Sequence, residues 1–99
     1  MDPDLLSAAL VAWIWSPAKS YPSQDDDAVL ARFGPTVGPA VLSELRALKN
    51  DFFRSNAVRE VRGLKAIGDR AAAEFSARHP EISGEAVAAL AASYTYAYK

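Results

Sequence analysis

The stretch Leu5 to Trp15, Leu-Leu-Ser-Ala-Ala-Leu-Val-Ala-Trp-Ile-Trp, carries one side chain that is not apolar, Ser7. Surface helices of globular proteins have an apolar stripe a little over 100° wide and a polar remainder; a helix that is apolar all round is enclosed by other elements or by a partner. The stretch therefore predicts a helix with no wet face, and it is the expected hub of the core. It is too short to cross a membrane, which takes ~20 apolar residues. The preceding Met-Asp-Pro-Asp lacks the basic start of a secretory signal. The expectation is a cytoplasmic protein with no membrane association.

The rest of the chain is ordinary globular sequence, 51% hydrophobic and 23% charged. Its 99 residues predict one helical domain over 1–99, burying about 65% of the surface its unfolded form exposes. With no cysteine, disulfides, thiolate zinc sites and a thiol nucleophile are excluded. A net charge of -1 gives no overall attraction to polyanions, whereas nucleic-acid domains usually carry a clear basic excess. The many alanines and the preference for Arg over Lys fit a bacterial source with a GC-rich genome.

Local signals divide the chain. Asp2 can cap the first helix, Pro3 at its first position loses no hydrogen bond, and Asp4 suits the positive end of the helix dipole. Ser16-Pro17 ends it, because the residue before proline avoids helical geometry. Ser16 to Pro22 reads as an ordered loop, with Lys19 and Tyr21 placed to cover the Trp13 and Trp15 rings. Ser23-Gln24-Asp25-Asp26 has the form of a capping box and predicts a second helix up to Phe33, ended by Gly34-Pro35. Asp25, Asp26 and Asp27 lack the spaced oxygen ligands and closing Glu of a calcium loop, and are read as capping and dipole charges.

A third helix is expected from Thr36 or Gly38 to about Arg54, with Val41, Leu42, Leu45, Leu48, Phe52 and Phe53 recurring at three and four. Beyond Ser55-Asn56 either a fourth helix or a continuation of the third runs to about Arg78. Gly63 and Gly68 each cost ~1 kcal/mol relative to alanine inside a helix, so they mark a kink or the close approach of another helix. His79-Pro80 closes that segment, and Ser83-Gly84-Glu85 starts the last helix. Tyr94, Tyr96 and Tyr98 alternate as in a strand; on a helix, Tyr94 and Tyr98 share a face. No second strand is available to satisfy an extended backbone, which favours the helix. The fold class is thus all-α, with four or five helices in an irregular or orthogonal bundle around the apolar N-terminal helix.

Trp13, Trp15, Tyr21, Tyr94, Tyr96 and Tyr98 are the candidate interaction residues. Rings of this size anchor partners, although the core is the plainer destination for them in a short chain. Arg59, Arg62 and Lys65 fall at helical spacing and are the candidate anion contacts. Against that stand a solvated face, or an internal contact with Asp25 to Asp27. Lys65 and Asp69 form an i, i+4 pair of the less favourable polarity. His79 is the only histidine, and alone it builds neither a triad nor a metal site. Gly34-Pro-Thr-Val-Gly38 has proline where a phosphate loop needs a free N–H, and it lacks the lysine.

No catalytic constellation, metal site or cofactor is therefore expected. The leading expectation is a non-enzymatic protein-interaction module, with self-association into a homodimer as one form, using the aromatic surface of the first helix and the tyrosine tail. The alternative is a weak nucleic-acid-binding or regulatory accessory protein acting through the basic face. The third is a sensor of a small apolar ligand.

Overall fold

A computed structural model describes residues 2–98, whose regular structure is entirely helical. The first helix, α1, spans Pro3–Ile14. Asp2 caps it, accepting the Asp4 N–H at 3.1 Å, and Pro3 takes its first position. No residue from Leu5 to Ile14 is exposed, so the enclosed part of the stretch stops one residue short of Trp15, which lies past the helix and is 46% exposed. Ser7, its single polar residue, is buried and accepts the backbone N–H of Ser83 at 3.0 Å.

The second helix, α2, is Asp26–Phe52, and its course is broken at Gly34, where φ is 84° and ψ is 171°. Two arms result, residues 26–33 and 35–52, folded close enough that a Cβ on Gly38 would sit 2.7 Å from Leu30 Cδ2. The expected boundary at Gly34-Pro35 is present. The expected cap at Ser23 is not: Asp25 caps α2 by accepting the Ala28 N–H at 3.1 Å. Ser23 is drawn back instead to α1, where its N–H donates to the Ile14 carbonyl at 2.9 Å, as the Asp25 N–H donates to that of Trp13 at 3.0 Å. These bonds satisfy carbonyls left open at the helix end.

Past α2 the chain forms α3, Ala57–Glu60, and then α4, Leu64–Arg78. Extended Val61 and Gly63, at φ 89°, separate them. Gly68 takes the other role open to a helix glycine: a Cβ there would lie 3.0 Å from Thr95 Cγ2, so α4 approaches the last helix closely. That helix, α5, is Gly84–Tyr98, and the Ser83 hydroxyl accepts the Ala86 N–H at its start at 3.2 Å. The tyrosine tail is therefore helical to Tyr98.

α1 does not hold the centre alone, as the sequence suggested. It packs against α2 and α5, and α5 packs in turn against α1, α2 and α4. The core is closed by a chain of rings in which Phe75 lies 5.3 Å from Phe52 and Phe52 lies 5.7 Å from Tyr94, centroid to centroid. All three are fully buried, and the Tyr94 hydroxyl donates to the Ser55 carbonyl at 2.8 Å.

Candidate functional site

Burial against this core sorts the aromatic candidates into two groups. Trp13 and Tyr94 are completely buried, whereas Trp15, Tyr21, Tyr96 and Tyr98 are exposed. Trp13 faces inward and its indole N–H donates to Asp26 Oδ1 at 2.9 Å, which meets the usual need of a buried indole for an acceptor. Positions 96 and 98 lie about 200° apart on a helix. Tyr98 accordingly rests on Tyr94, 4.9 Å between centroids, while Tyr96 stacks on Tyr21 at 5.9 Å with the ring planes 12° apart.

Tyr21 thus covers α5, rather than the tryptophans. The segment carrying it, residues 15–25, is tied down by the two backbone bonds to α1 and by the Ser16 hydroxyl, which donates to Asp25 Oδ2 at 2.6 Å. The Asp25 carboxyl sits below its ordinary value because it accepts this hydrogen bond and the Ala28 N–H, which together outweigh its burial. Trp15 and Tyr21 therefore stand on a braced loop.

The basic candidates do not share a helical face. Arg59 is in α3, Arg62 follows the extended Val61, and Lys65 in α4 pairs with Asp69 at 2.6 Å. Among the described residues, no ion pair engages Arg59 or Arg62. Asp26 turns to Arg46 instead.

A cluster around Asp51 is not visible in the sequence. Asp51, in the last turn of α2, has His79 Nε2 at 2.8 Å and Arg78 Nε at 3.0 Å from the same carboxylate oxygen, with Arg54 at 3.4 Å from the other. His79 also lies 3.5 Å from Glu81 through Nδ1, and its ring packs 4.5 Å from that of Phe75. Arg78 and His79 sit at the end of α4, where the dipole favours cations; a distance of 27 residues along the chain hides their meeting with Asp51.

Burial pushes the Asp51 carboxyl up, but the hydrogen bonds and charges of His79 and Arg78 more than offset it and hold it below its ordinary 3.8. The folded protein thus binds this proton less readily than the unfolded chain. The resulting stability is complete above the ordinary value and drains away as pH falls through the lowered one. In thermal melts from pH 6 down to pH ~2, Asp51→Asn is expected to lose less stability than the wild type over the acid limb, below about pH 4. Parallel losses in the two proteins would show that Asp51 is not linked to folding.

Two open grooves mark the surface. One, of about 220 Å³, is lined by Arg54, Ser55, Asn56, Glu60, Glu74 and Arg78. The other, of about 360 Å³, runs along the starts of α1 and α5 and is lined by Asp4, Ser7, Ala8, Val11, Arg32, Ser83 and Glu85. Both have charged walls, so neither offers the apolar enclosure that an apolar-ligand sensor would use. Among the described residues no group of His, Asp or Glu is placed to hold a metal ion, and no helix is long and apolar enough to cross a membrane. Comparison with protein-family models, curated proteins and solved structures finds no match.

Proposed function

We propose that the protein is a non-enzymatic interaction module that docks a protein partner through Tyr21 and Tyr96, with Trp15 on the loop that carries Tyr21. The observation that carries this reading is the exposed, nearly parallel stack of Tyr21 on Tyr96, supplied by a braced loop and a helix. Tyr and Trp dominate interface hot spots, and side chains already ordered before binding lose little entropy on docking.

The size of the surface bears on the kind of partner. An aromatic side chain has about 150–250 Å² to bury, so three rings each somewhat under half exposed offer roughly 200–330 Å². A stable dimer buries about 800 Å² on each side. The area suits a short segment or a transient partner better than a permanent homodimer.

The double variant Trp15→Ala/Tyr96→Ala tests the reading. Each deleted ring is a little more than half buried, so stability is expected to fall by about 2–4 kcal/mol from lost burial and stacking, while binding to protein partners captured from the source cells is lost. Light scattering at two protein concentrations reports self-association separately. A large drop in melting temperature with every association unchanged would show that these rings serve the fold and would remove the proposal.

A further inference from the structure

We propose that the groove between the end of α2, α3 and α4 binds a small zwitterion, a molecule carrying a carboxylate and an ammonium group a few bonds apart. This site is independent of the aromatic surface. Its two ends are of opposite sign: Arg54 and Arg78 both reach Asp51 at one, and Glu60 and Glu74 both reach Arg70 at the other.

Hydrogen-bonding capacity decides which of these groups can take a ligand. Arg78 is committed to Asp51. Arg54 is held only by the 3.4 Å contact to Asp51 and is 81% exposed, so most of its donors point to solvent. The Asn56 side chain makes no cap for α3 and no other hydrogen bond among the described residues. A guanidinium and an amide side by side are the usual donors for a carboxylate. Across the groove, Arg70 bridges Glu60 at 2.9 Å and Glu74 at 3.3 Å, in each case through Oε2. The Oε1 atoms remain to accept from an ammonium group.

Charge then selects the ligand. A simple anion drawn to Arg54 meets Glu60 and Glu74, and a simple cation drawn to the glutamates meets Arg54 and Arg70. A ligand with both charges satisfies both ends without leaving a net charge in the groove. At about 220 Å³ the space lies below the roughly 300–1,000 Å³ of drug-sized sites, which limits the ligand to the size of a free amino acid. An open site and few ligand atoms imply weak binding, on the order of 1 mM.

Amide NMR spectra recorded while glycine, β-alanine and 4-aminobutyrate are titrated test this. At least one is expected to give saturable shifts at Asn56, Glu60 and Glu74, with the preferred member reporting the spacing of the two charges. Acetate and methylammonium at the same ionic strength are expected to give none. Arg54→Gln should weaken the preferred zwitterion about tenfold, as loss of a charged hydrogen bond does, and Glu74→Gln should do the same from the other end, both with unchanged spectra elsewhere. The proposal is overturned if no zwitterion saturates by about 50 mM, far above the expected range, if acetate alone reproduces the shifts, or if binding survives both substitutions.

Discussion

Phe52→Ala is expected to remove about 3–5 kcal/mol of stability, the usual cost of deleting a large aromatic from a core that cannot collapse around the gap. Phe52 closes the last turn of α2 and meets Phe75 of α4 and Tyr94 of α5 directly, with Phe53 at 6.4 Å as a further neighbour. Deleting its ring would open a void shared by three helices, so no single element could relax to fill it. For a domain of about 100 residues this corresponds to a fall in melting temperature of roughly 15–30 °C, a large part of a typical total stability of 5–15 kcal/mol. Urea unfolding is expected to show a lower midpoint with an unchanged slope, which separates lost stability from altered compactness. A loss below about 1.5 kcal/mol, the scale of a well-tolerated core swap, would mean that Phe52 does not join the three helices. The double variant with Phe75→Ala should lose less than the sum of the two single changes, because both rings border one void.

Gly34→Ala is expected to cost about 1–3 kcal/mol through the backbone alone. At φ 84° and ψ 171° Gly34 occupies a region almost restricted to glycine, and an added Cβ would meet nothing within 4 Å. Any loss therefore reports conformational strain, free of steric overlap with neighbours. Gly84 supplies the control: its surroundings are equally open, but its φ is not positive. As the first residue of α5 it should accept alanine with no loss, or gain up to about 1 kcal/mol from the stiffer unfolded chain. Chemical denaturation of both variants decides the matter; equal effects would show that the break in α2 does not depend on a glycine. Straightening α2 would also carry Gly38 away from Leu30, so the two arms lose their contact together.

The features legible in the sequence are those set by neighbouring residues. Asp2 and Pro3 start α1, Ser16-Pro17 excludes its continuation, and Gly34-Pro35 and His79-Pro80 stop helices by rules that act within a few residues. Even the two roles open to glycine in a helix appear, the break at Gly63 and the close contact at Gly68. Features set by distant partners were not legible. Ser23 satisfies the local pattern of a cap, yet the open carbonyl of Ile14 competes for it and wins. Arg59, Arg62 and Lys65 keep helical spacing only on paper, because Val61 is extended and Gly63 turns the chain. Trp13 and Trp15, or Tyr94 and Tyr96, look alike in sequence; the end of α1 at Ile14 leaves Trp15 outside, and the phase of α5 buries Tyr94 and exposes Tyr96. The Asp51 cluster and the zwitterion groove both depend on α2 and α4 ending at the same place, which no local spacing encodes.

The bond from Ser83 to Ser7 joins positions 76 residues apart, and it bears on the order in which the protein can be assembled. α1 is the most apolar of the five described helices and is made before the other four, whereas α5, one of the two helices that enclose it, is made after them. Until α5 appears, α1 can be covered only by α2, and its other flank stays wet. Closing so long a loop raises the entropic barrier above that of helical proteins built from near-neighbour contacts. A growing chain therefore carries a sticky helix from the time α1 is made, and its exposure ends only when the fifteen-residue α5 docks.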